Sequence, residues 1–167
     1  MLIRQATVDD VPEMQRLIAH FASEGLMLPR TEKSLYETLH CFVVAEKDGD
    51  IAGTAGLHLL WKDLAEIRSL AVQPDFHGQG VGRKIVNALV EKAERLRVPQ
   101  VLSLTYQTKF FDKLGFQTVQ KETLPHKIWA DCVHCKKFHH CDEVAMVYYT
   151  AVHPEKVRVF SSVPVEH

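Results

Sequence analysis

Leu70-Ala71-Val72-Gln73-Pro74-Asp75-Phe76-His77-Gly78-Gln79-Gly80-Val81-Gly82-Arg83 reads as an apolar strand, a proline stop, a turn with three alternating glycines and the start of an amphipathic helix. Glycine lacks a Cβ and tolerates positive φ, so such a turn lets the backbone approach a ligand closely. The first N–H groups of the following helix have no intrahelical partner and sit at the positive end of its dipole, which suits a pyrophosphate. Arg83 and Lys84 add formal charge at the same place. No Gly-Lys-Ser/Thr ending is present, as a P-loop requires, and G-x-G-x-G lacks the third-glycine position of the dinucleotide fingerprint. The spacing by itself leaves open a turn that only punctuates the chain.

The chain has 167 residues, enough for one α/β domain with a substantial core. Twenty basic and 21 acidic residues leave a net charge of −1, which offers no field for nucleic acid or an anionic membrane. A small ligand is the better expectation. Met1-Leu2-Ile3-Arg4-Gln5-Ala6 has no apolar signal core and no run reaches the length of a membrane span, so a cytoplasmic location is expected. There, the four cysteines are expected to be reduced.

Around the glycine turn the elements follow in order. Leu2-Ile3 opens a strand, and Thr7-Val8-Asp9-Asp10 has the hydroxyl cap and acidic first turn of a helix whose apolar face is Val11, Met14, Leu17, Ile18 and Phe21, closed by Gly25. A second helix is expected over 31–40. A strand from Cys41 to Glu46 turns through Lys47-Asp48-Gly49-Asp50 into a partner over 51–60. Strand 64–72 precedes the glycine turn. The helix expected over 81–97 carries Val81, Ile85, Leu89, Ala93 and Leu96 on one side. A strand over 101–105, a short helix over 110–114 stopped by Gly115, and strands 116–119 and 144–149 complete the chain. A Cys- and His-rich insertion, 124–142, lies between the last two strands. We expect a domain over 1–150 and a tail over 151–167.

Leu70-Ala71-Val72-x-Pro74, Phe76 and Gly78-x-Gly80-x-Gly82 resemble motif A of the GNAT superfamily of acetyl-CoA-dependent N-acetyltransferases. Lys109-Phe110-Phe111-Asp112-Lys113-Leu114-Gly115-Phe116 resembles that superfamily's F-Y-x-K-L-G-F segment. The resemblance implies an α/β GNAT fold, with a mixed, mostly antiparallel central sheet flanked by helices in the order β-α-α-β-β-β-α-β-α-β-β. It also implies acetyl-CoA as co-substrate, held by Leu70, Ala71, Val72, His77, Gly78, Gln79, Gly80, Val81, Gly82, Arg83 and Phe111. The motif's usual R/Q-x-x-G-x-G/A begins here with His77, which removes one cationic or amide side chain from the turn.

Acetyl transfer to an amine needs a free nitrogen lone pair, a positioned thioester and a proton for the departing thiolate. In the superfamily a bulged strand presents backbone amides to the pantetheine and the thioester oxygen, and Leu70, Ala71 and Val72 match it. Glu66 stands where many members keep a glutamate base, and alternation puts Glu66, Arg68 and Leu70 on one strand face. A structural ion pair between Glu66 and Arg68 is the competing reading. The superfamily's usual tyrosine is Phe111 here, so Tyr106 or a water is left as the acid, and a packing role for Tyr106 stays open.

A closer resemblance covers the chain to about Thr150. Gly25-x-x-Leu28-Pro29-Arg30, Trp61-x-Asp63-Leu64-Ala65-Glu66-Ile67-Arg68-Ser69-Leu70-Ala71-Val72 and Leu124-Pro125-x-Lys127-x-Trp129-x-Asp131-Cys132-x-x-Cys135-x5-Cys141-Asp142-Glu143-x-Ala145 resemble the short, stand-alone bacterial N-acetylglutamate synthases of arginine biosynthesis. That resemblance implies transfer to the α-amine of L-glutamate. Guanidinium forks bind carboxylates bidentately, and Arg30 and Arg68 are the matching candidates, with Lys127 a third. Arg30 and Lys127 also have a plain reading as solvated charges. The alternatives are a GNAT enzyme acting on another amine, amino acid or protein N-terminus, and a non-catalytic acetyl-CoA-binding or metal-sensing module. Family members are often dimers, so a homodimer is the implied assembly.

Cys132-x2-Cys135-x5-Cys141, with His126, His134, His139 and His140 nearby, offers three thiolates and an imidazole to a structural zinc ion. Reduced loop cysteines or a redox-sensitive cluster are the alternatives.

Overall fold

Turn and cap chemistry divides the chain where the sequence marks it. The computed structural model describes residues 1–121 and 143–152. Its elements are β1 (Leu2–Gln5), α1 (Val11–Ser23), α2 (Glu32–Glu37), β2 (Phe42–Lys47), β3 (Asp50–Trp61), β4 (Leu64–Val72), α3 (Val81–Arg95), β5 (Gln100–Thr105), α4 (Thr108–Lys113), β6 (Gln117–Val119) and β7 (Val144–Tyr149). This is the expected order, with strands arranged β1-β2-β3-β4-β5-β7-β6. The β1–β2, β2–β3, β5–β7 and β6–β7 ladders are antiparallel and β4–β5 is parallel, so the sheet is mixed and mostly antiparallel.

Residues 1–58 and 67–91 form one compact unit. Val11, Met14, Leu17 and Ile18 bury the apolar stripe of α1, while Phe21 at its end is half-buried. Val11, Met14 and Ile18 pack with Ala6, Leu35, Phe42, Val44 and Ile51. Burying each large side chain contributes about 1.5–3 kcal/mol. Gly25, at φ 75°, ends α1, and the next amide, that of Leu26, donates back to the Phe21 carbonyl at 3.1 Å. Asp48 and Gly49 both take positive φ, 53° and 85°, the demand of a tight two-residue hairpin turn between β2 and β3.

Several expected boundaries shift, three of them for local reasons. Thr31 caps α2 by accepting the Ser34 amide at 3.0 Å, and Thr38 Oγ1 donates to the Ser34 carbonyl at 2.8 Å. That side-chain bond competes with the helix ladder, so α2 stops at Glu37 instead of reaching residue 40. A 3-10 turn over Leu39–Cys41 follows, and Cys41 precedes β2 instead of starting it. Helix α3 ends at Arg95, because Arg97 takes φ 66° and the Val98 amide closes on the Ala93 carbonyl at 2.9 Å. Leu96 therefore leaves the helix face and is 49% exposed, while Val81, Ile85, Leu89 and Ala93 are buried as expected.

The second unit comprises 59–66 and the described residues from 92 onward. Its core gathers Leu64, Leu102, Ala145 and Val147, flanked by Leu60, Trp61, Leu104, Val119 and Tyr149. Gly115, at φ 94°, ends α4, and the Phe116 amide donates to the Phe111 carbonyl at 3.0 Å. Thr150 donates from its amide to the Pro99 carbonyl and from its hydroxyl to the Val98 carbonyl, each at 2.9 Å, and Val152 is buried. No helix among the described residues is long and apolar enough to cross a membrane.

Candidate functional site

The site begins where β4 stops behaving as a regular strand. Its parallel ladder with β5 runs through Ala65↔Val101 and Glu66↔Leu102. Three residues beyond Glu66, Ser69 takes φ 59°, an unusual conformation for a non-glycine residue inside a strand and one that kinks it as a bulge does. The face expected for Glu66, Arg68 and Leu70 is therefore interrupted between Arg68 and Leu70, because alternation is not carried through a left-handed residue. Glu66 is buried, at 6% exposure, whereas Arg68, Leu70 and Val72 are half-buried and Ala71 is buried.

Arg30, in the loop between α1 and α2, is brought to this kink. Its Nε donates to Ser69 Oγ at 3.3 Å, and Gln15 Nε2 of α1 donates to the Arg30 carbonyl at 3.4 Å. Arg30 thus meets β4 at the residue next to Arg68. Ser69 is a member of this group that the sequence reading missed, since nothing in the local pattern marks a serine as left-handed.

After β4, Pro74–Phe76 makes one 3-10 turn and the glycine turn follows. Gly78 and Gly80 take φ 80° and 78°, and a Cβ built on either meets nothing within 4 Å. Conformation, not crowding, demands glycine at these two positions, and the space over them is open. Gly82 lies inside α3 and is not among the left-handed glycines, so its expected conformational freedom is unused. His77 Nε2 lies 2.8 Å from the Val72 carbonyl. A carbonyl only accepts, so this nitrogen carries the proton and the imidazole ties the turn back to β4.

Gln79 is tied on its other side: Lys47 Nζ, at the end of β2, donates to Gln79 Oε1 at 2.8 Å and stands 5.9 Å above the Phe76 ring. Lys47 is a cation that the sequence reading left out, because it is 32 positions from its partner in the chain. With Arg83 and Lys84 exposed at the head of α3, the turn is open, amide-rich and flanked by cations. Those properties fit the phosphates of a coenzyme A ligand.

Beneath the turn, Gly53 of β3 permits a close approach. A Cβ there would lie 2.9 Å from the Ala71 carbonyl, 3.0 Å from Ile85 Cδ1 and 3.2 Å from Val81 Cγ1. The first turn of α3 and the end of β4 rest on this missing side chain.

In the second unit Tyr106 follows β5 and is half-buried. Phe111 is buried at 2% exposure, edge-on to Phe116 with centroids 4.9 Å apart and to Phe110 at 5.0 Å. Most of its ring surface is therefore spent on packing. Lys127, Cys132, Cys135 and Cys141, with the histidines around them, lie outside the described residues. Among the described residues no group of three or more His, Cys, Asp or Glu side chains is placed to hold a metal ion.

Comparison with known proteins gives a consistent picture. The profile of the Acetyltransferase (GNAT) family matches residues 9–116. An uncharacterized N-acetyltransferase, CT2212, from Chlorobaculum tepidum is 39% identical over 87% of this chain and 94% of its own. An amino-acid acetyltransferase from Mycobacterium tuberculosis is 37% identical over 71% of this chain and 70% of its own. Among solved structures, N-acetylglutamate synthase from Neisseria gonorrhoeae, complexed with coenzyme A and N-acetyl-glutamate, superposes with a TM-score of 0.79 at 27% identity. The likeness covers 89% of this chain and 34% of that one.

Proposed function

The chain belongs to the acetyltransferase (GNAT) family and is an acetyl-CoA-dependent N-acetyltransferase, and from that premise we propose that its acceptor is the α-amine of L-glutamate. The observation that carries this reading is the Arg30 guanidinium held at Ser69, beside Arg68. A guanidinium at the strand kink, with a second arginine one residue before that kink in the chain, suits an acceptor with two carboxylates. The named relative and the N-acetylglutamate synthase structure support the same class.

In this reading the amides of Gly78 to Arg83 hold the diphosphate, with His77 and Gln79 bracing the turn. Leu70, Ala71 and Val72 present backbone groups to the pantetheine and the thioester oxygen. Each donor aimed at developing negative charge is worth about 3 kcal/mol. Arg30 and Arg68, with Lys127, hold the carboxylates so that the amine faces the thioester. The bound acetyl-CoA supplies an activated acetyl carbon. Glu66 accepts the proton that the amine loses as the C–N bond forms, and Tyr106 or a water protonates the departing thiolate. Phe111 supports the thioester end through its aromatic packing. A structural zinc ion held by Cys132, Cys135, Cys141 and a nearby histidine completes the proposal, as does assembly as a homodimer.

The test measures CoA release against all twenty amino acids. Turnover that depends on glutamate, with the glutamate KM raised at least tenfold in Arg68→Ala, is the expected result. Turnover with a different amine, or an unchanged KM in Arg68→Ala, overturns the glutamate assignment.

A further inference from the structure

We propose that Lys47 is a further coenzyme A-binding residue, its ammonium pairing with a phosphate of the co-substrate beside the glycine turn. This deepens the acetyl-CoA site and rests on the reading of that turn as the phosphate cradle. Lys47 is the last residue of β2 and is half-buried. Its Nζ donates to Gln79 Oε1 at 2.8 Å and stands 5.9 Å from the centre of the Phe76 ring. Gln79 lies between Gly78 and Gly80, and its Nε2 donates to the Asp75 carbonyl at 3.3 Å. The ammonium is thus held at the turn by a side chain that belongs to the turn.

Charge then points to an anion. An ammonium has three N–H donors, and the Gln79 amide oxygen takes one of them. Among the described residues no carboxylate comes within 4.0 Å of Lys47 Nζ, although Asp48 follows it and Asp50 pairs with it across the hairpin. Neither a neutral oxygen nor a ring face cancels its charge. A phosphate seated on the amides of the turn supplies that counter-charge through a charge-assisted hydrogen bond. The hairpin is fastened in this place by its own irregularity. The β2–β3 register slips by one residue between Ala45↔Gly53 and Glu46↔Ile51, which leaves Ala52 over as a bulge. The Ala52 carbonyl accepts the Gln73 amide at 2.8 Å, so the end of the hairpin is joined to the chain just before the glycine turn. That junction fixes where the end of β2 stands relative to Gln79, 32 positions later in the chain.

The experiment compares Lys47→Met, Lys47→Arg, Gln79→Ala and Gly80→Ala with the unmodified chain, measuring Tm and, by calorimetric titration, the Kd of CoA at low and high salt and the Kd of 3′-dephospho-CoA. Lys47→Met is expected to weaken CoA binding about tenfold and to flatten its salt dependence with Tm little changed, and Lys47→Arg to restore the affinity to within about threefold. Gln79→Ala keeps the charge, so its salt dependence should match that of the unmodified chain. Under the proposal, a loss in Lys47→Met that vanishes with 3′-dephospho-CoA assigns the pairing to the 3′-phosphate, and one that persists assigns it to the diphosphate. A Kd within about twofold of the original in Lys47→Met overturns the proposal. So does a Gln79→Ala variant that matches Lys47→Met in both affinity and salt dependence, because Lys47 then only braces the turn. If Gly80→Ala weakens CoA binding while Lys47→Met does not, the pairing is wrong and the cradle reading survives. If neither weakens it, both are wrong.

Discussion

Gly80 carries its conformation without crowding from its surroundings: φ is 78° and, among the described residues beyond its chain neighbours, no atom lies within 4 Å of the place a Cβ would occupy. An alanine there bears the left-handed penalty of about 1–2 kcal/mol and sets a methyl group in the space open to a phosphate. Gly80→Ala is therefore expected to raise the acetyl-CoA KM roughly tenfold with the glutamate KM little changed, in steady-state assays with each substrate varied. Asp10 shows the same dependence on place at a structural position. Arg4 grips it with two nitrogens, at 2.8 and 2.9 Å, and the Thr7 amide donates to it at 2.7 Å. The hydrogen bond from Arg4, more than any other contact, holds its carboxyl below the ordinary value of 3.8, against the opposing effect of burial. The folded state favours the carboxylate more than the unfolded chain does, so this stabilisation is complete above about pH 4 and fades as the pH falls below it. Asp10→Asn should cost about 2 kcal/mol near neutral pH and show a flatter fall in Tm between about pH 4 and pH 2. An identical acid profile in the variant would show that other carboxylates dominate. The acidic first turn was plain from Asp9-Asp10, but Asp10 as the partner of Arg4 and, through it, of Glu46 was not, since Glu46 is 42 residues from Arg4.

Helix α3 illustrates what one element needs from another. Its amphipathic stripe is written in Val81, Ile85, Leu89 and Ala93, and these are buried as their spacing predicts. The seat on which the stripe rests is not written nearby, because it is a missing side chain on β3. Gly53→Ala would put a methyl carbon 2.9 Å from the Ala71 carbonyl, a backbone atom that moves only with β4. Overpacking of this kind costs about 1–3 kcal/mol. For a chain of this size that corresponds to a Tm drop of about 4–8 °C at 2 kcal/mol, readable by calorimetry. Because Ala71 and Val81 flank the glycine turn, acetyl-CoA affinity should fall with it, and a variant that loses stability while keeping its affinity would uncouple the two. Strand β4 teaches the converse lesson. Its limits, 64 and 72, follow from composition, yet the kink at Ser69 that ends its alternation carries no local signal.

At the scale of the molecule, one prediction concerns the metal proposed for Cys132, Cys135 and Cys141. If zinc is a structural ligand, elemental analysis should find about one zinc per chain, and chelation should lower Tm, because binding energy at such a site is folding energy. Metal-free protein with an unchanged Tm would remove zinc from the proposal. The order of elements, the glycine turn, the hairpin at Asp48-Gly49 and the helix ends at Gly25 and Gly115 were determined by the sequence alone, because each depends on residues a few positions apart. Periodicity, capping and positive φ are local physics. The tertiary structure decided the contacts between distant residues: Arg30 on Ser69, Lys47 on Gln79 and Gly53 beneath Ala71. Their partners are 39, 32 and 18 positions apart, and only packing of the chain selects which distant groups meet.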